Sequence, residues 1–145
     1  MKDENQHRPV LLVEDNPVDL DLMLRALGKG GMLNPIEVAR DGEEALSWIS
    51  RWEQDELLPI VILLDLNLPK IQGLEVLKTL REHPLGKTIP VVVLTSSNED
   101  KDINAAYALH ANSYIVKPVN FENFMKVASQ IELYWAFINQ PALTH

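Results

Sequence analysis

The sequence predicts a doubly wound α/β sandwich, a five-stranded parallel sheet with helices on both faces, and three observations carry that prediction. Short apolar runs recur five times, each followed by a segment able to form a helix. The runs are continuously apolar rather than alternating, as expected of strands buried on both faces. Right-handed crossovers between such strands leave few other ways to fold the chain.

The first run, Val10 to Val13, precedes Glu14, Asp15, Asn16 and Pro17, and then Leu20, Leu24 and Leu27 at helical spacing. Asn16 is a suitable N-cap and Pro17 a suitable first helical residue, and the glycines at 28, 30 and 31 are expected to end the helix. The pattern then repeats. Ile36 to Ala39 leads to a helix from near Asp41, Ile60 to Leu64 to one from near Gln72, Val91 to Leu94 to one from near Asp100, and Tyr114 to Val116 to one from near Asn120. Arg51 to Pro59 reads as a polar loop before the third strand. The units share no residue-level signature, so the repetition is architectural.

At 145 residues the chain has room for one domain, which we place at residues 10–138 with short tails at 1–9 and 139–145. Hydrophobic residues make up 46% and charged residues 23%, the balance of a globular protein. No apolar run approaches the ~20 residues of a membrane helix, and the polar N-terminus is unlike a signal peptide, so a cytoplasmic location and no membrane partner are expected. A net charge of −8 opposes binding to nucleic acid. With no cysteine, disulfides and thiolate chemistry are excluded.

Ligands of an open parallel sheet bind beyond the carboxyl ends of its strands. Glu14 and Asp15 follow the first strand, Asp65 and Asn67 the third, Thr95, Ser96 and Ser97 the fourth, and Lys117 with Pro118 the fifth. Three carboxylates converging on one crevice call for a hard cation such as Mg²⁺, which also binds phosphate oxygens. A lysine and a hydroxyl opposite them would complete a cradle for a phosphoryl group.

Leu11-Leu12-Val13-Glu14-Asp15-Asn16, Asp65-Leu66-Asn67-Leu68-Pro69 with Gly73, Thr95-Ser96 and Tyr114-Ile115-Val116-Lys117-Pro118 together resemble bacterial response-regulator receivers, over roughly residues 10–131. The resemblance implies a flavodoxin/CheY-like sheet of order 2-1-3-4-5. It makes Asp65 the phosphoacceptor, taking its phosphoryl group from a sensor histidine kinase. Mg²⁺ would be held by Asp15, Asp65 and the backbone carbonyl of Asn67, with Glu14 acting mostly through water. Lys117 would neutralise the phosphoryl group, Thr95 would bond one of its oxygens, and Tyr114 would turn inward as the switch on the face of the fourth helix and fifth strand. The Lys117–Pro118 bond is usually cis in the family. Many receivers have two aspartates where this chain has Glu14 and Asp15.

No activity beyond gaining and slowly losing this phosphoryl group is expected. Asn67 stands where aspartyl phosphatases need a second acid, and Glu14 and Asp15 stand where a nucleotide- or flavin-binding domain needs a glycine-rich loop. An adaptor of the same fold that works without phosphorylation is the remaining alternative. With no output domain in the sequence, the signal is expected to leave through another protein.

The four histidines, His7, His83, His110 and His145, show no metal-ligand spacing and read as surface residues, and Trp48 and Trp52 as core or rim. The last helix is apolar nearly all round from Phe121 to Ile138, which predicts a homodimer through it, a fold-back onto the chain's own domain being the alternative. The loop before the third strand, Leu85 to Pro90 and the aromatic C-terminus are similar to single-domain regulators paired with phytochrome-type kinases.

Overall fold

The computed structural model describes residues 8–29, 33–96, 98–117 and 122. Five strands, β1 (Val10–Val13), β2 (Ile36–Ala39), β3 (Val61–Leu64), β4 (Val91–Thr95) and β5 (Ser113–Val116), form one parallel sheet in the order β2-β1-β3-β4-β5. The helices between them are α1 (Pro17–Lys29), α2 (Gly42–Glu53), α3 (Gly73–Glu82) and α4 (Asp100–Ala108), with a short 3₁₀ turn at Gly86–Thr88.

Alternate residues of each strand serve opposite cores, which is why the central runs are apolar throughout. Val10, Leu12, Val61, Leu63, Val92 and Leu94 pack with Leu20, Met23, Ala26 and Leu27 of α1. On the other face Leu11, Val13, Ile62, Leu64, Val91 and Val93 meet Trp48 and Trp52 of α2 and Val76, Leu77 and Leu80 of α3. Both tryptophans are therefore core. The outer strand β2 carries an exposed Glu37 and is only partly buried, as an edge strand can be.

The caps follow the sequence. Asn16 Oδ1 accepts from the N–H groups of Val18 (2.9 Å) and Asp19 (3.1 Å), and Pro17 opens α1. Asp41 accepts from Glu44 N–H (2.7 Å), and Glu44 reaches back to Arg40 N–H (2.8 Å).

Three expectations are corrected. Helix α1 runs through Gly28 to Lys29, because one glycine costs only about 1 kcal/mol in a helix whose apolar face is already buried. Helix α2 continues to Glu53, three residues into the expected loop, held by the Arg51 guanidinium 3.7 Å over the Trp48 ring and by its ion pair with Glu56 (2.7 Å). His83 is not a free surface group: its Nε2 lies 2.8 Å from Glu53 Oε2, and its Nδ1 accepts from Leu85 N–H. The Lys117–Pro118 bond, Ser97, His7, His145 and the C-terminal helix apart from the helical Glu122 lie outside the described residues, as do most of the tails.

Candidate functional site

Because all five strands run the same way, their carboxyl ends share one edge, and backbone pairing sets the polar residues there side by side. Asp65 N–H donates to Val13 O (3.0 Å), Glu14 N–H to Ala39 O (3.0 Å) and Lys117 N–H to Thr95 O (2.7 Å). The result is a cleft of about 350 Å³ lined by Glu14, Asp15, Asp19, Asp65, Asn67, Ser96 and Lys117, with Asn16 and Pro17 at its rim.

One oxygen each from Glu14, Asp15 and Asp65 fall within 4.8 Å of one another. Glu14 and Asp65 are buried, at 1% and 6% exposure, whereas Asp15 is open to solvent. Lys117 Nζ reaches in from β5 and donates to Glu14 Oε1 (2.7 Å), Asp19 Oδ2 (2.8 Å) and Asp65 Oδ2 (3.1 Å). Asp65 Oδ1 accepts from Asn67 N–H (2.9 Å) and Glu14 Oε2 from Asn16 N–H (3.1 Å), so each buried carboxylate is oriented by a backbone donor two residues on.

The loop carrying Asp65 is backed by Gly73, whose N–H donates to Leu66 O (3.0 Å). A Cβ at Gly73 would stand 2.3 Å from the Asp65 carbonyl oxygen, so only glycine lets α3 start this close to the site.

Burial pushes the Glu14 carboxyl up to about 7; the hydrogen bond from Lys117 opposes this and the neighbouring Asp65 adds to it. Burial acts to lower the Lys117 ammonium, but the carboxylates around it win and hold it above its ordinary value. Four carboxylates line the cleft against the single ammonium of Lys117 among its lining residues. That surplus of negative charge, in oxygen donors within a few ångströms of each other, fits a hard divalent cation.

The strand-end residues singled out from sequence thus meet in one place, except that Thr95 is wholly buried at the end of β4 and does not line the cleft, while Ser96 does. Tyr114 is half-buried on β5 and packs against the core on the α2–α3 side of the sheet. Its N–H donates to the hydroxyl of Tyr107 (3.1 Å), which ties β5 to α4. Asp19 and Tyr107 were not anticipated. Asp19 lies in the first turn of α1, and no spacing in the sequence marks it as a partner of Lys117.

Comparison with known proteins agrees with this geometry. The family model described as "Response regulator receiver domain" matches residues 10–129. The chain is 42% identical over 127 residues to a probable methanogenesis regulatory protein, FilR2, of Methanothrix harundinacea, covering 87% of this chain and 82% of that one. It is 39% identical over 138 residues to the response regulator Rcp1 of Synechocystis, covering 93% and 94%. The crystal structure of the phosphorylated cyanobacterial phytochrome response regulator RcpA superposes with a TM-score of 0.82 at 39% identity, covering 89% of this chain and 94% of that one. The structure of the Mn²⁺-bound form of Rcp1 does so at 0.79 and 38%, covering 88% and 94%.

Proposed function

The chain belongs to the response-regulator receiver family, and we propose that it signals by carrying a phosphoryl group on Asp65, received from a phytochrome-type sensor histidine kinase. The observation that carries this is the buried Asp65 carboxylate, held by Asn67 N–H at the end of β3 within reach of the Lys117 ammonium.

In the transfer, an Asp65 oxygen attacks the phosphorus of the kinase phosphohistidine; an O–P bond forms, the N–P bond breaks and the imidazole keeps the bonding pair. Asn67 N–H holds Oδ1 and leaves Oδ2, the oxygen on Lys117, as the one that can exchange its ammonium partner for phosphorus. Lys117 then follows the new negative charge onto a phosphoryl oxygen.

Glu14, Asp15, Asp65 and the carbonyl of Asn67 would hold Mg²⁺, which supplies charge neutralisation between the carboxylates and the phosphoryl oxygens. The oxygen donor set and the Mn²⁺ in Rcp1 support a divalent ion. Thr95 is the hydroxyl for a third phosphoryl oxygen, and because it is buried, reaching that oxygen requires its loop to move inward. Tyr114 follows, and the tie from Tyr107 to its backbone spreads the change over α4 and β5.

The chain performs no catalysis besides its own phosphorylation and slow dephosphorylation, acts in the cytoplasm, folds as a receiver domain over residues 10–138, and pairs with a second copy through its apolar C-terminal segment, residues 121–138. Among the described residues no helix is long and apolar enough to cross a membrane. The phytochrome assignment is supported by the likeness to RcpA.

The test is intact-mass spectrometry after incubation with acetyl phosphate. Wild-type protein with Mg²⁺ should gain one phosphoryl group, and neither the EDTA-treated protein nor Asp65→Asn should. An adduct on Asp65→Asn would move the acceptor to another residue, and none on wild type would leave a binding module of the same fold that works without phosphorylation. A solution mass of one subunit, phosphorylated and not, would refute the dimer.

A further inference from the structure

Lys117 Nζ has three N–H groups, and three carboxylates take them: Glu14 at 2.7 Å, Asp19 at 2.8 Å and Asp65 at 3.1 Å. An incoming phosphoryl oxygen can gain this ammonium only by displacing one of them. Two of the three, Glu14 and Asp65, belong to the group of oxygens that can share a cation, and a cation there weakens their hold on Lys117. Asp19 does not belong to that group. It sits in the first turn of α1, lines the same cleft, and keeps 36% of its side chain open to solvent.

The geometry points to Asp19 as a charge gate on Lys117: a positioning residue that occupies one of the three donors of the ammonium and discriminates against phosphoryl donors by their negative charge. This rests on Asp65 being the phosphoacceptor. Asp19 acts twice in the same direction. It competes with the phosphoryl oxygens for the Lys117 donors, and it adds a negative charge to the wall of the cleft a donor enters. A donor presented by a bound protein can offset that repulsion through its docking contacts, whereas a small anion cannot. The gate therefore makes the site more selective for a protein donor over free phosphorylated metabolites.

The reaction for the test is transfer from acetyl phosphate: an Asp65 oxygen forms a bond to phosphorus, the bond from phosphorus to the bridging oxygen breaks, and acetate leaves with that electron pair. Initial rates are measured by intact mass with saturating Mg²⁺ for wild type, Asp19→Asn and Asp21→Asn. Asp21 is the control for charge, exposed on the same helix and paired with Arg25 at 2.6 Å rather than with Lys117. Asp19→Asn should react roughly 3- to 10-fold faster at low ionic strength, the size of one unit charge acting through largely solvated surroundings. The gain should shrink as salt rises, and be smaller with phosphoramidate, which carries less negative charge than acetyl phosphate near neutral pH. Asp21→Asn should match wild type.

A slower or unchanged Asp19→Asn, an equal gain in Asp21→Asn, or a gain indifferent to salt and to donor charge would overturn the gate while leaving Asp65 as acceptor. Absence of any adduct on wild type would overturn both.

Discussion

Replacing Gly73 by alanine should damage the site from behind, through the backbone of Asp65 rather than through any side chain that meets the phosphoryl group. The new Cβ would lie 2.3 Å from the Asp65 carbonyl oxygen and 2.5 Å from Leu66 Cα, both backbone atoms that no rotamer change can move aside. Ordinary contact is ~3.5 Å or more, so α3 and the end of β3 must separate by about 1 Å. Overpacking of this kind costs about 1–3 kcal/mol, of which alanine's better helix propensity recovers less than about 1. For a chain of 145 residues that is a fall of roughly 2–10 °C in Tm. A displacement of about 1 Å in the nucleophile can slow transfer by about 100-fold. Gly28→Ala is the matched control, since nothing lies within 4 Å of its Cβ, and it should be neutral or stabilising by up to ~1 kcal/mol with an unchanged rate. Calorimetry and acetyl phosphate labelling of both variants make the comparison. Wild-type Tm and rate in Gly73→Ala would refute the claim that α3 is seated directly against Asp65.

Four further outcomes follow from the geometry. Metal binding needs Glu14 ionised, and its carboxyl is raised to about 7, so Mg²⁺ affinity measured by calorimetry should climb from pH 6 to pH 8 and then level off. An acid raised above its unfolded value of 4.5 takes up an extra proton on folding between those two pKa values, so without metal this group should lower stability as pH rises through about 4.5 to 7. Glu14→Gln should flatten that slope in a pH series of denaturant melts; an unaltered slope would contradict the assignment. Arg81→Ala strips donors from the carbonyls of Ile89 (2.8 Å), His110 (2.9 Å) and Gly86 (3.1 Å) at the far end of the sheet. It should destabilise by about 2–3 kcal/mol in urea while phosphorylation, assayed well below Tm, stays near the wild-type rate. Asp15→Asn should weaken Mg²⁺ at least about tenfold yet leave Tm within about 2 °C, because Asp15 is exposed and is not a partner of Lys117.

The sheet was legible because each central strand is buried on both faces and must be apolar at every position; Val10–Val13 and Val61–Leu64 match their apolar runs almost residue for residue. The site was legible for a related reason. Parallel strands send all their carboxyl ends to one edge, so Glu14, Asp15, Asp65 and Lys117 had to converge once the direction of the strands was known. Contacts that depend on the path of a helix were not. Asp19 reaches Lys117 across 98 positions of sequence only because α1 leaves β1 at the angle it does. The extra length of α2 depends on Arg51 stacking on Trp48, and the Glu53–His83 contact on how α2 and α3 lie together. Nor could the sequence tell that Glu14 is buried while Asp15 beside it is open, although the two carry the same formal charge.

The most direct measurement is reductive trapping. Wild-type protein is phosphorylated with acetyl phosphate and Mg²⁺, reduced with borohydride so that an aspartyl phosphate becomes homoserine, digested, and sequenced by tandem mass spectrometry. Homoserine at position 65 alone, absent without Mg²⁺, is the expected result. Homoserine at Asp15 or Asp19, or at no residue of a protein that has gained phosphate, would contradict Asp65 as the acceptor.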